Sequence, residues 1–292
     1  MSNCKHWRSG LVLMLPSLLF IFAFMAYPMV SVLYLSFHEY SPLRLAKVRY
    51  IGLENYKWLI RSDLVSYSLY VTVLFTLASV ALELVAGLLI ASLLVRHITE
   101  KPSGIESALN KIFRSIFILP FAAPAVAAAV AWKMLLHPQF GPVNAILGVK
   151  VAWFTKYPLL SIIIADAWKM TPFMLFLFLA AIMSIEPEQF EAAKIDGASG
   201  WQEFRYITLP SILPVLAVAT AFRAVDAFTK IFDIVYMTTG GGPGNATEVF
   251  PLLIWKTAFS HLHFGKSSAL AVVAILISAL LGATLVTKRR PT

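Results

Sequence analysis

Of the 292 residues, 59% are hydrophobic and 13% charged, with a formal net charge of +9. A soluble chain of this length carries about 25% charged residues, so the composition excludes a soluble enzyme and points to a protein built into a membrane. The basic excess then belongs to loops at an anionic leaflet, not to a nucleic-acid surface, and the single cysteine, Cys4, excludes a disulfide framework or a cysteine metal cluster.

Lys5 and Arg8 precede an apolar run. The run Leu11–Phe37 exceeds the about 7–15 residues of a signal-peptide core, and no small-residue cleavage site follows it, so it is expected to be a retained span. A membrane helix needs about 20 mainly apolar residues. Six stretches qualify: Leu11–Phe37, Tyr67–Val95, Ile112–Leu136, Leu159–Ile185, Ser211–Thr238 and Ser267–Thr287. No strand-like alternation suggests a barrel. The expectation is an all-α, polytopic integral membrane protein, with residues 1–292 forming a single transmembrane domain. Pro16, Pro28, Pro120, Pro124, Pro172 and Pro214 lie in or at the ends of these stretches, where neighbouring helices can satisfy the freed carbonyls. Six spans put both termini on one side. The Lys/Arg excess points, slightly, to the cytosol for that side, and Lys288-Arg289-Arg290 after the last span is the clearest cue.

Ionisable residues inside spans are costly and face a bundle interior or a water cavity. The second span holds Glu83, expected to pair with Lys133 or with a neighbouring subunit. The fourth holds Asp166 and Lys169, three residues apart, beside Trp168. The fifth holds Arg223, Asp226, Lys230 and Asp233 at three- and four-residue spacings, on one helix face and with alternating sign. Such a ladder can neutralise itself while lining a polar path, or serve as an interhelical tie. A sugar offers hydroxyls to carboxylates and flat C–H faces to rings. Asp226, Phe228, Asp233, Tyr236, Trp168 and Phe173 supply that mixture, although the same rings also suit helix packing.

Between the fourth and fifth spans lies a polar segment, EAAKIDGASGWQEFRYITLP, from Glu191 to Pro210. Pro187 suits a first helical turn, with Glu186 and Glu188 near the positive end of the helix dipole. Gly197 is placed to end that helix in a left-handed cap. Ser199 and Gln202 fit a capping box for a second helix, expected to stop before Pro210. Ala192 and Ala193 keep one surface thin, and Phe190, Trp201 and Phe204 offer apolar anchors. Chemistry alone fits this helix–glycine corner–helix equally well to an amphipathic loop lying on the membrane.

Catalytic signatures are missing. A phosphate cradle requires G-x-x-x-x-G-K-[ST]; Gly265-Lys266-Ser267 comes nearest, but Ser260 occupies the first glycine position. Gly240–Gly244 reads as a turn. His261 and His263 find no further metal ligands. The chain is therefore expected to be no enzyme, with no catalytic residue, metal or cofactor of its own.

The segment resembles the EAA loop of permease subunits of binding-protein-dependent ATP-binding-cassette importers. That pattern runs E-A-A, D-G-A, an apolar residue and L-P; Glu191, Ala192, Ala193, Asp196, Gly197, Ala198, Ile207, Leu209 and Pro210 match it. IGLENYKWL (Ile51–Leu59), ADAWKMTPFM (Ala165–Met174) and FRAVDAFTKIFDIVYMTTGGGPGNATE (Phe222–Glu248) look like the carbohydrate branch, which handles maltose, trehalose or glycerol phosphate. The resemblance implies the permease fold of type I importers, in a cell membrane and with cytoplasmic termini. It implies that Glu191, Ala192, Ala193, Asp196, Gly197 and Ala198 form a coupling helix. This would dock in a cleft of a separate ATPase, Glu191 facing basic groups and Gly197 permitting the bend. It further implies a second homologous permease, two ATPase subunits that bind ATP and Mg, and an extracytoplasmic sugar-binding protein, in contact with lipid and with no nucleic acid. The paired signs in the fifth span lean toward a neutral sugar such as trehalose or maltose, with glycerol phosphate as the alternative. An ion-coupled secondary carrier is a further reading, against which no internal repeat is found. A scaffold or channel would leave the EAA-like loop unexplained.

Overall fold

The structure is a computed structural model that describes residues 13–42, 48–99 and 115–287, without the side chains of 96–99 and 284–287. Cys4, Lys5, Arg8, the first residues of the spans expected from Leu11 and Ile112, and Lys288–Arg290 lie outside the described residues. In chain order the elements are helix α1 (Leu13–Ser36), strands β1 (His38–Glu39) and β2 (Arg49–Tyr50), and helices α2 (Glu54–Arg61) and α3 (Asp63–Thr99). Next come α4 (Ser115–Ala122), α5 (Ala125–Leu135), α6 (Pro142–Leu147), α7 (Trp153–Lys156), α8 (Pro158–Met183) and α9 (Pro187–Ile195). The chain ends with α10 (Gly200–Thr238), α11 (Phe250–Trp255) and α12 (Phe264–Thr287).

Five of these helices are long and apolar enough to cross a membrane, and α4 with α5 makes a sixth crossing if the pair is one span bent by 104°. The bend falls at Ala123-Pro124, where Pro124 adopts ψ 138°, outside the helical region. Proline cannot continue the helical ladder, and it biases the preceding residue away from helical geometry as well. The third expected span is thus broken inside the apolar stretch; the first, second, fourth and sixth run within a few residues of their expected bounds, and the fifth ends where expected but begins earlier, at Gly200.

The chain packs as two compact units. The first takes in the chain up to Ser66 together with Leu253–Leu276. Here β1 and β2 form an antiparallel ribbon, which the pattern of hydrophobicity did not signal, with His38 opposite Tyr50 and Glu39 opposite Arg49. The Asn55 side chain is 4% exposed and donates to the carbonyls of Ser36 and His38 at 2.9 and 3.0 Å, pinning the start of the ribbon to α2.

The second unit comprises Tyr67–Leu252 and the chain from Ile277. Its core is built on Phe75, Ile162, Met174, Leu175, Phe178, Phe228, Ile231 and Val235, all nearly inaccessible. At the crossing of α3 and α8, a Cβ on Gly87 would sit 2.8 Å from Met174 Cβ. Glycine there lets the backbones approach more closely than any other residue would. Thr72, Thr76, Thr220 and Thr238 return their hydroxyls to carbonyls four residues back, which hides these polar atoms within apolar helices.

One expectation fails at Pro210. The second helix of the polar segment does not stop there; α10 runs from Gly200 through to Thr238. The turn before the proline widens to π geometry over Phe204–Thr208, with the Leu209 N–H donating to the Phe204 carbonyl. A widened turn absorbs the ring and the missing donor, and the Ser211 hydroxyl donates to the Ile207 carbonyl at 2.7 Å.

Candidate functional site: a charged cavity and an exposed elbow

A cavity of about 420 Å³ lies between α8, α10 and the break separating α4 from α5, all in the second unit. From α8 it is lined by Asp166, Lys169 and Phe173, and from α10 by Phe222, Arg223, Asp226, Lys230 and Asp233. The regular repeat of the α10 residues on one face puts them there together.

Arg223, 1% exposed, is the centre of the charge network. Its guanidinium forks onto Glu83 of α3, with Nε 2.7 Å from Oε2 and Nη2 2.9 Å from Oε1. Nη2 also donates to Asp166, and Nη1 donates to Asp226 at 3.1 Å. The Ser79 hydroxyl lies 2.8 Å from Glu83 Oε1 and 2.7 Å from Asp166 Oδ2, so its single proton is shared between two carboxylates. Lys230 reaches Asp226 at 2.7 Å while its side chain stays 74% exposed. Planar, five-donor arginine suits this role, because one cation can satisfy several carboxylates in fixed directions.

Two sequence expectations change here. Glu83 does not pair with Lys133, whose side chain is exposed; it is wholly buried and meets Arg223. Nor do the four charges of α10 neutralise one another as a simple ladder, because carboxylates from α3 and α8 enter the network. Asp233 lines the cavity without an ion pair among the described residues.

Lys169 is engaged differently. Its ammonium donates to the carbonyls of Phe121 at 3.2 Å and Ala123 at 2.7 Å. These belong to the last turn of α4 and the break that follows, where helical carbonyls have lost their partners.

The expected aromatic residues separate. Phe173 lines the cavity, but Phe228 is 1% exposed and part of the core. Trp168 lies edge-on to Trp132 at 5.9 Å, and Tyr236 stacks on Phe232 at 5.2 Å; neither lines the cavity. Phe121, Phe222 and Ser79 were missed. Ser79 carried a usable signal, one helical turn before Glu83.

The polar segment forms an elbow. Helix α9 starts at Pro187 and ends at Ile195, and Gly197 follows with φ +75°; the Gly197 N–H bonds to the Lys194 carbonyl and the Ala198 N–H to that of Ala193, a Schellman cap. Ser199 then starts α10 with the expected capping box, its own N–H donating to Gln202 Oε1 at 2.7 Å. Both corners are therefore fixed by hydrogen bonds. Glu191, Ala192, Asp196 and Gly197 are exposed, and Ala193 and Ala198 are half-buried. Around them Ile195, Trp201 and Tyr206 are 87%, 70% and 74% exposed. Trp201 stacks on Phe204 at 5.6 Å. A second cavity of about 540 Å³ separates Phe190, Glu191, Lys194 and Phe204 from Ser92 and Val95 of α3.

Residues 84–288 match the family described as binding-protein-dependent transport system inner membrane component. The trehalose/maltose transport system permease protein MalF of Thermococcus litoralis is 35% identical over 278 residues, which cover 93% of this chain and 89% of that one. The trehalose transport system permease protein SugA of Mycobacterium tuberculosis is 32% identical over 274 residues, covering 93% and 85%. In fold, the chain is similar to one chain of a bacterial alginate ABC transporter crystallised in complex with an alginate pentasaccharide-bound periplasmic protein. The TM-score is 0.80 at 22% identity, over 97% of this chain and 94% of that chain.

Proposed function

The chain belongs to the family of binding-protein-dependent transport system inner membrane components, and from that premise we propose that it forms half of the sugar pathway of an ATP-driven importer. The observation that carries this is mechanical. The rigid, exposed elbow sits directly between α8 and α10, the two helices that supply every charged group of the cavity. A push on the elbow is therefore delivered to the cavity walls through two continuous helices, the shorter of them about 39 Å long at about 1.5 Å per residue.

In this reading Glu191, Ala192, Ala193, Asp196, Gly197 and Ala198 grip a separate ATPase. Two such ATPase subunits bind ATP and Mg, a second homologous permease closes the other half of the pathway, and an extracytoplasmic binding protein delivers solute. The protein resides in the cell membrane, with both termini and the elbow in the cytosol. It is a transport subunit, and hydrolysis takes place in its partners.

The cargo is a neutral di- or oligosaccharide of the trehalose or maltose kind. The names of two relatives support this, as does the charge balance of the cavity. A phosphate ester would call for cations free to meet it, whereas Arg223, Lys230 and Lys169 are each already engaged.

The test is reconstitution of the whole complex, with ATP hydrolysis and uptake measured for trehalose, maltose and glycerol phosphate. ATP-dependent uptake of a disaccharide, delivered by the binding protein, is expected. Uptake that follows a proton gradient and ignores ATP would overturn the reading in favour of a secondary carrier.

A further inference from the structure

Three phenylalanine rings from three helices form a row along the cavity. Phe121 of α4 stacks on Phe173 of α8 at 5.9 Å and 22°, and Phe173 lies 5.4 Å from Phe222 of α10. All three line the cavity. Their place along it follows from helix direction. On α8, which runs toward the elbow, Phe173 comes after Asp166 and Lys169. On α10, which runs away from the elbow, Phe222 comes before Arg223, Asp226, Lys230 and Asp233. Both orders put the rings on the elbow side of the charges.

Lys169 joins the row to the broken span. Phe121 sits in the last turn of α4, where the carbonyls have no helical donor ahead of them, and the ammonium of Lys169 donates to the carbonyl of Phe121 itself and to that of Ala123. An orphan carbonyl in a membrane is costly, and a cation at a helix C-terminus also meets the negative end of the dipole. This contact fixes α4 against α8 one turn from Phe173.

We infer that the Phe121–Phe173–Phe222 row is an apolar plug closing the elbow-side end of the cavity, and that Lys169 is the positioning residue that holds Phe121 in it. The inference rests on the cavity being the solute pathway. It explains why a lysine inside a span spends its donors on backbone carbonyls and leaves Asp166, three residues away, to Arg223. A movement that parts α8 from α10 separates Phe173 from Phe222 and opens the row.

Leak is the measurement that separates a plug from ordinary packing. The complete complex is placed in liposomes preloaded with radiolabelled trehalose, and efflux is followed without ATP. Phe222→Ala, which keeps the lysine contact, and Lys169→Met should each raise efflux about tenfold or more over the unaltered complex, the population shift expected when a charge-assisted contact or a ring-to-ring contact no longer favours the closed state. Lys169→Arg keeps donors for the two carbonyls and should return efflux to near the unaltered level, which a merely space-filling role would not require. Background efflux from assembled complexes carrying Phe222→Ala overturns the plug, whatever Lys169→Met shows. Efflux from Phe222→Ala alone overturns the assignment of Lys169. Failure of the unaltered complex to take up sugar with ATP is a separate result and counts against the importer reading, whatever the leak shows.

Discussion

Arg223 and Glu83, 140 residues apart in the chain, meet through two hydrogen bonds of 2.7 and 2.9 Å with side chains 1% and 0% exposed. Two helices that carry one charge each toward the bundle interior are thereby fixed in register. Taking away one partner strands the other in a medium that cannot solvate it, at a cost of about 3–5 kcal/mol. Arg223→Met should be the more severe change, because it also leaves Asp166 and Asp226 without their shared cation. Glu83→Gln keeps an acceptor for the guanidinium and should cost less. The thermal midpoint of the purified complex orders the two, and the double substitution Glu83→Gln/Arg223→Met should be less harmful than the sum of the singles.

Gly197 follows α9 with φ +75°, and a Cβ built on it meets nothing within 4 Å. The cost of Gly197→Ala is therefore purely that of the left-handed backbone, about 1–2 kcal/mol, with no steric clash added. Gly197→Asn should recover much of it, since asparagine tolerates this region. Both variants should insert normally while the ATP hydrolysed per sugar transported rises, Ala more than Asn. Unchanged stoichiometry in Gly197→Ala and Gly197→Pro together would remove the elbow from coupling.

Glu191 is exposed on the same elbow. Its reversal, Glu191→Lys, falls on an exposed side chain and should change stability by less than about 0.5 kcal/mol, so that the thermal midpoint stays close to that of the unaltered chain. Binding of the ATPase subunits should weaken, and uptake should fall with it. Co-purification of the ATPase with the permease measures this directly.

The devices that sequence made legible are local ones. Pro187, Gly197 and the Ser199–Gln202 box each act within one turn, so their spacing alone places them. Hydropathy located the six apolar stretches for the same reason, the third of them folding as a bent pair of helices. What stayed hidden depends on which helices become neighbours. Glu83 could be seen to need a cation, but selecting Arg223 over Lys133 requires knowing that α3 faces α10 and that the Lys133 side of α5 is exposed. Lys169 reads in sequence only as a charge three residues from Asp166, because a broken helix offering it two carbonyls leaves only a proline as its trace. The run of α10 past Pro210 was misjudged because proline was weighed against an α-helical turn, whereas a π turn accommodates it.

Asp226 distinguishes a pathway from a structural tie. Its carboxylate, 10% exposed, bridges buried Arg223 at 3.1 Å and exposed Lys230 at 2.7 Å, so it stands where the protein interior gives way to the cavity. Asp226→Leu removes both contacts, but Arg223 keeps Glu83 and Asp166, and Lys230 keeps access to solvent. The loss of stability should therefore stay near the about 1–3 kcal/mol typical of one broken hydrogen-bonded charge. Uptake should fall much further than that loss explains, because the cavity gains an unbalanced lysine and loses a carboxylate that can accept from sugar hydroxyls. Asp63→Leu, at the first turn of α3 and not among the residues that line the cavity, is the control. Uptake by the two variants, normalised to the amount of assembled complex, should differ by about tenfold or more. Equal uptake would mean that the charges of α10 only hold helices together, and the cavity would lose its claim to be the path of the sugar.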